Sequence, residues 1–183
     1  MGPLKKISYR LLYGGGIIFD LCKWVILATV IIILVHKFLV TVFIVDGMSM
    51  EPTIHDKELV VLRRYIGAKD LPKRKDVVAV RYPGDPEHKK YIKRVIGLPG
   101  DKVDISDGKV FINGTHLDES YIGYGIESEP GGTWTLSSTE YFLMGDNRPG
   151  SNDSRYFGPV EKRFFLGQAI TIIFPRFRQV KDL

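Results

Sequence analysis

The chain has a single cysteine, Cys22, among its 183 residues. An intrachain disulfide is therefore excluded, and the fold must be held without a covalent cross-link. The sequence also lacks zinc-finger spacing and any cluster of histidine, cysteine and acidic residues that would suit a metal ion. It has no internal repeat and no low-complexity tract. We expect a protein without a metal or another cofactor.

The basic excess of the chain is concentrated near its N-terminus. The formal net charge is +5, and residues 1–46 hold five lysines and arginines against two acids. Arg176, Arg178 and Lys181 add a short basic tail. A basic tail can mark a nucleic-acid-binding protein, but no helical basic stripe with base-reading residues accompanies it. We interpret both ends as solvated segments beside anionic membrane lipid and predict no nucleic-acid partner.

A long apolar segment, Leu21–Val45, dominates the N-terminal part of the chain. As a helix, its 25 residues would span about 37 Å, compared with about 30 Å of bilayer hydrocarbon. We therefore predict a transmembrane anchor over residues 21–45. Lys5 and Arg10 are among the basic residues that precede it. By the positive-inside rule, residues 1–20 are expected in the cytoplasm and residues 46–183 on the outer face.

Two other interpretations of this segment are weaker. A cleavable secretory signal would be shorter, and no small-x-small cleavage pattern in a good context follows the apolar run. A buried core helix would carry an apolar stripe, whereas Leu21–Val45 is apolar all round. The sequence therefore favours a single uncleaved anchor.

The rest of the chain has the pattern of a mostly β domain. Short segments rich in valine, isoleucine, tyrosine and phenylalanine alternate with glycine- and proline-containing turns. The predicted strands are Glu58–Arg64, Val77–Tyr82, Tyr91–Ile96, Lys102–Ile105, Lys109–Ile112, Tyr141–Met144 and Ala169–Phe174. Gly123–Ser138 is predicted to be a long surface loop. This pattern is typical of an antiparallel, barrel-like sheet. Asn113-Gly114 is read as a hairpin turn rather than as a glycosylation acceptor.

A serine lies in a turn-prone segment directly after the predicted anchor. The segment is Gly47-Met48-Ser49-Met50-Glu51-Pro52-Thr53. Ser49 would therefore stand where a membrane helix meets water, beside substrates that are themselves held in a membrane. A serine hydroxyl is a poor nucleophile until a neighbouring base takes its proton. The sequence must therefore supply a base.

Lys93 is the best candidate for this base. The four histidines, His36, His55, His88 and His116, lie in the apolar segment or in polar turns, and none is expected to be buried beside a serine. Strand alternation puts Lys93 on the same face as Tyr91 and Val95. Burial there would lower its pKa from about 10.4 towards 7–8, as a general base requires. The alternative is a lysine that extends to solvent at a strand edge.

A third block, Gly145–Arg155, is dense in hydrogen-bonding groups and follows a predicted strand. It could be an ordinary polar turn. Asp153 and Arg155 could also pair and brace the loop, and Ser151 could accept a hydrogen bond and orient a lysine amine. Support of this kind is what a precise site needs.

The three blocks, in this order behind an apolar segment, resemble those of bacterial type I signal peptidases, which are membrane-bound Ser-Lys proteases. The resemblance covers the chain from the apolar segment to about Phe174, and the short outer domain is most similar to the Gram-positive branch. Reticulum relatives in eukaryotes carry histidine in place of Lys93. The blocks are Gly47–Thr53, Tyr91–Asp101 and Gly145–Arg155.

The resemblance implies roles for six residues. Ser49 would be the nucleophile and Lys93 the general base, with Ser151 positioning the lysine. Asp153 and Arg155 would form a supporting pair, and Asp146 would help to order their loop. One departure concerns the oxyanion: some members have a serine at the position of Gly47, so the second oxyanion donor is left unassigned here.

The implied substrates are preproteins with signal peptides, which the enzyme would cleave after small side chains at the first and third residues before the cut. An extended substrate would pair with a strand edge near Ser49, and Val45 and Ile92 are expected to line shallow pockets. Two alternatives are another Ser-Lys protease, such as a self-cleaving repressor, and a non-catalytic membrane-anchored β domain. In the second, Ser49 and Lys93 would be a turn residue and a solvated lysine.

Overall fold

The computed structural model describes residues 3–65, 70–82, 84 and 89–180, without the side chains of 3–15, 17 and 35–38. The chain divides after Leu39 into two compact units, a helical one and a β-rich one. The helical unit consists of helix α1, Pro3–Phe38. Among the described residues, no helix is both long enough and apolar enough to cross a membrane.

The predicted anchor segment 21–45 is not helical throughout. Helix α1 ends at Phe38, and the next residues form strand β1, Val40–Ile44, which pairs with a strand further along the chain. The expectation of one continuous helix is wrong here. An apolar run of β-branched and aromatic residues suits either structure, and a partner strand that satisfies its backbone groups decides the outcome.

The β-rich unit contains two antiparallel sheets. After β1, the strands are β2 Leu59–Arg63, β3 Val77–Arg81, β4 Lys90–Gly97, β5 Lys102–Ser106, β6 Lys109–Ile112, β7 Thr115–His116, β8 Gly132–Thr135, β9 Glu140–Met144, β10 Val160–Glu161, β11 Phe165–Phe174 and β12 Arg178–Gln179. Among the described residues, one sheet has eight strands in the order β1-β2-β11-β3-β4-β9-β10, with β12 paired to β11, and the other has four in the order β7-β6-β5-β8. The prediction of a mostly β, antiparallel domain is confirmed. A short helix, α2 Ser154–Phe157, precedes β10.

The predicted strands are present within one residue of their predicted bounds, except that β11 begins at Phe165 rather than Ala169. Strand β8 lies inside the predicted loop Gly123–Ser138 and pairs with β5. Its half-buried Trp134 packs against Phe142 of the larger sheet, at 4.7 Å between ring centroids. Because glycines neighbour this strand, the local sequence pattern did not predict it.

The segment that carries Ser49 is anchored in the core. Met50 and Ile54 are fully buried in a cluster with Val60 and Ile172 of the larger sheet. Each buried side chain of this kind contributes roughly 2 kcal/mol to stability. A second cluster joins strands of both sheets, for example through Val103 and Phe142. The turn between β1 and β2 is thus held firmly against the sheet.

Candidate active site

Ser49 and Lys93 lie within hydrogen-bond distance of each other. Lys93 Nζ is 2.7 Å from Ser49 Oγ, although the two residues are 44 positions apart in the chain. Ser49 is half-buried in the turn after β1, and Lys93 is 2% exposed on β4. The alternative in which Lys93 extends to solvent is therefore wrong.

Burial sets the protonation of the Lys93 amine. It lowers the pKa of Lys93 from 10.5 to about 8, because the charged form loses its hydration. The carboxylates of Asp153 and Asp146 raise this pKa, and the guanidinium of Arg155 lowers it. A lysine with a pKa near 8 holds a usable neutral fraction at physiological pH and can accept a proton from a hydroxyl.

Ser151 is buried, but the structure does not give it the predicted contact. Its exposed fraction is 5%, and its hydroxyl oxygen has no hydrogen-bond partner among the described residues. It therefore does not orient the Lys93 amine in this structure. The serine hydroxyl lies next to Gly145 instead, where an added Cβ would overlap both Ser151 Oγ and the Ser49 carbonyl oxygen.

Asp153 and Arg155 form a fully buried pair. Arg155 donates from Nε to Asp153 Oδ1 and from Nη2 to Asp153 Oδ2, both at 2.8 Å. Asp153 Oδ2 also accepts the backbone N–H of Gly145 at 2.9 Å. Asp153 further caps helix α2 through the N–H of Arg155. The pair thus fixes the backbone of the loop at Gly145.

Asp146 is held by residues from two other segments. It is completely buried and accepts two hydrogen bonds from Arg94, from Nε at 2.8 Å and Nη2 at 2.6 Å. Thr53, which follows the Ser49 turn, donates its hydroxyl to Asp146 Oδ2. Asp146 therefore links strand β4, the serine turn and the loop 145–155. Arg94 and Thr53 were not singled out from the sequence, because their contact with Asp146 spans long sequence separations.

Asn147 adds a direct connection between this loop and the turn that carries Ser49. Its backbone N–H donates to the Ser49 carbonyl at 3.1 Å, and its side-chain amide donates to the Met48 carbonyl at 3.0 Å. Sequence reasoning missed this role. An asparagine in a polar turn has no feature that distinguishes a local contact from a distant one.

A second missed feature is the buried guanidinium of Arg148. It donates to the Gly145 carbonyl at 3.1 Å and pairs with Glu119 at 2.5 Å. It also donates to the hydroxyl of Ser128. Glu119 and Ser128 lie in the segment that joins β7 and β8 of the smaller sheet, so this sheet supports the loop that lies against Ser49.

The backbone conformation at Gly47 explains why this position holds glycine rather than the serine of some family members. Gly47 has φ of +113°, a conformation that side chains rarely adopt, and its N–H donates to Asp56 Oδ1 at 2.7 Å. A serine at this position would be strained in the turn as it stands. The turn therefore favours glycine, and this residue offers no hydroxyl to an oxyanion.

A cavity of about 430 Å³ opens beside Ser49. Phe43 and Ile44 of β1 and Tyr91 and Ile92 of β4 give it apolar walls. Ile92 was expected at such a pocket. Val45, expected beside it, does not line this cavity and packs into the core at 2% exposure instead.

The histidines give no competing base among the described residues. His55 and His116 are exposed, and the ring of His116 packs edge-on against Phe111. The side chains of His36 and His88 lie outside the described residues. Among the described residues, Lys93 is therefore the candidate base that contacts Ser49.

Residues 18–174 match the family model described as "Signal peptidase, peptidase S26". The chain belongs to the signal peptidase family. Signal peptidase I of Bacillus amyloliquefaciens is 34% identical over 86% of this chain and 89% of its own length. Signal peptidase I S of Bacillus subtilis is 34% identical over 86% and 90%, and signal peptidase IB of Staphylococcus aureus is 34% identical over 81% and 87%.

A solved signal peptidase I from Enterococcus faecalis is also similar. It is 33% identical, with a TM-score of 0.47, and the match covers 54% of this chain and 96% of that one.

The crowding at Gly145 predicts the effect of one added methyl group. In this signal peptidase, Gly145→Ala should lower kcat/KM by about 100-fold or more, because the methyl would push the Ser49 turn away from Lys93. Gly16→Ala in α1, where an added Cβ meets nothing within 4 Å and the backbone has no positive φ, serves as the control and should keep its activity. Peptide cleavage and thermal melting measure both variants. A folded Gly145→Ala variant of normal activity would contradict the expectation.

The burial of Lys93 predicts a pH-dependent cost in stability. Below pH 8 the lysine is protonated in the folded and unfolded states, and only the folded state loses its hydration. Lys93→Met should then raise the free energy of unfolding at pH 7 by roughly 3 kcal/mol. The stability of the native protein should rise between pH 8 and 10.5, so the difference should shrink there. Chemical denaturation in detergent at several pH values measures this, and a constant difference would refute the explanation.

Proposed function

We propose that this chain is a membrane-bound serine endopeptidase that removes signal peptides from exported preproteins, with Ser49 as nucleophile and Lys93 as general base. The 2.7 Å distance between Ser49 Oγ and the buried Lys93 Nζ carries the proposal. Membership of the signal peptidase family supports the activity. A buried lysine of lowered pKa beside a serine has no evident purpose in a binding domain.

The geometry supports a two-step reaction. Neutral Lys93 takes the proton of the Ser49 hydroxyl, and the oxygen attacks the carbonyl carbon of the scissile peptide bond. The backbone N–H of Ser49 is the proposed donor to the oxyanion, with the second donor still unassigned because Gly47 has no hydroxyl. Protonated Lys93 then gives its proton to the leaving amine, and water releases the acyl-enzyme with the same lysine as base.

The loop 145–155 is proposed to hold Ser49 and Lys93 in position relative to each other. Asp146 and the Asp153–Arg155 pair fix its backbone, and Asn147 ties it to the Ser49 turn. Ser151 is proposed to act once substrate binds, since its hydroxyl is buried in the loop beside Ser49 without a partner among the described residues. In that state it could accept a hydrogen bond from the Lys93 amine.

Strands β1 and β4 both line the cavity beside Ser49. Strand β1 lies at the edge of the larger sheet, and the ladder between β4 and β9 runs from Arg94 onwards, beyond the cavity-lining residues of β4. An extended substrate segment could pair with these strands and place small side chains in the apolar cavity. These features support a preprotein as the substrate.

We further propose that the chain is a single-pass membrane protein with a cytoplasmic N-terminus. The apolar sequence within helix α1 and the basic residues before it support this topology. The catalytic domain would lie on the outer face and would begin at Val40 rather than at residue 46, because β1 belongs to the β-rich unit. Membrane lipid is then a partner, and nucleic acid is not expected.

Removing either reacting group should abolish cleavage. Ser49→Ala lacks the nucleophile and Lys93→Ala lacks the base, so both should process a preprotein more slowly by about four orders of magnitude or more. Lys93→Arg should be equally inactive, since a guanidinium does not give up its proton. Lys102→Ala on the smaller sheet is the control. Gel analysis of preprotein processing measures the effect, and substantial turnover by a folded Ser49→Ala variant would disprove the mechanism.

The pKa of Lys93 predicts the pH dependence of the reaction. Only the neutral amine accepts the serine proton, so kcat/KM should rise with pH and reach half of its plateau near pH 8. Two units lower, about 1% of the plateau rate should remain. Initial rates on one peptide substrate between pH 5.5 and about 9.5 measure the profile. A rate that is flat across this range would exclude Lys93 as the base.

A further inference from the structure

Two like charges face each other beside the cavity at Ser49. Arg81 of β3 and Lys90 of β4 are directly opposed in the antiparallel ladder. Like charges at such positions destabilise a sheet. Both residues are exposed, and neither side chain has a hydrogen-bond or ion-pair partner in the part of the chain that the structure describes. We call these two residues the cationic rim.

The rim is continuous with the wall of the cavity. Lys90 lines the same cavity as Ser49, together with Lys89 and the acid Asp46. The carboxylate of Asp46 is already engaged by the amine of Lys57. The charge that faces the cavity from Lys90 is therefore not balanced by this acid, and an occupant with a negative group would balance it.

The spacing along β4 identifies the part of a substrate that meets the rim. Lys90 lies three residues from Lys93, which is about 10 Å along a strand. A substrate extended beside β4 advances by the same distance per residue, so Lys90 lies next to residues two to four positions from the cut. The resemblance to signal peptidases implies small side chains at the first and third residues before the cut, and alternation leaves the second and fourth free to carry a charge.

We propose that the cationic rim makes this enzyme prefer preproteins with an acidic residue at the second or fourth position before the cut. The inference rests on the proposed peptidase function. Aspartate or glutamate there would pair with Lys90 and relieve its repulsion with Arg81. A lysine at the same position would meet a third positive charge.

The size of the preference follows from the exposure of the rim. Pairs between exposed charges change an equilibrium by a factor of about two to five. Salt screens such charges over about 8 Å at physiological ionic strength and over about 3 Å at 1 M. The preference should therefore be clear at low salt and nearly absent at about 1 M salt.

Competition between matched peptides tests the proposal on the full-length protein in detergent. The peptides carry alanine at the first and third positions before the cut, and glutamate, glutamine or lysine at the second or fourth. The native enzyme should cleave the glutamate peptide about two- to five-fold faster than the glutamine peptide, and the lysine peptide more slowly. Lys90→Gln should bring the ratios close to one, and Lys90→Glu should reverse their order. Lys109→Gln, an exposed lysine on the smaller sheet, should keep the native ratios.

The outcomes separate this inference from the proposed function. Equal cleavage of all peptides by the native enzyme at low salt would overturn the preference and leave the peptidase function intact. A failure to cleave even the glutamine peptide would count against the function itself. If the rim binds anionic lipid instead, Lys90→Gln should weaken binding to phosphatidylglycerol vesicles without changing the peptide ratios, and this result would also overturn the proposal.

Discussion

The removal of the Lys93 amine from water is the constraint on which the site depends. An exposed lysine would be almost wholly charged at neutral pH and could not accept a proton from Ser49. Burial on β4 lowers its pKa to about 8, and this is a loss of stability that the surrounding core must offset. The well-packed turn at Met50 and Ile54 and the paired strands around β4 supply that stability. The packed core thus supplies the stability that a buried lysine of lowered pKa requires.

The buried ion pairs near Lys93 affect both the loop geometry and the pKa of the lysine. Asp146 and Asp153 are needed to hold the backbone of the loop, yet each carboxylate raises the pKa of the lysine. Arg155, paired with Asp153, lowers it again. Buried pairs of this kind add little net stability, because desolvation offsets their attraction. Their value here is that they fix the loop geometry while leaving little net charge beside the Lys93 amine.

The sequence predicted the strands because they depend on local pattern. Alternation put Lys93 on an apolar face but left open whether it was buried or extended to solvent, and its pairing with Ser49, 44 positions away, was implied by the resemblance to signal peptidases. Local pattern did not predict the other long-range contacts. The contact between Arg148 and Glu119 spans 29 positions, and the strand at Val40–Ile44 depends on its ladder with β2. Ser151 shows a third limit, since neighbouring sequence does not determine the direction of a hydroxyl.

Strand β4 combines the elements of the site through its two faces. One face carries Lys93, and the other carries Ile92 at the cavity and Arg94 at the buried Asp146. Because the period of a strand is two residues, a shift of one position would exchange these faces and lose the Lys93–Ser49 contact, the cavity wall and the loop anchor together. The ladder partners Val78 and Met144, both buried, hold the strand in its register. The position of Lys93 relative to Ser49 therefore depends on the pairing of β4 in the sheet as much as on the loop 145–155.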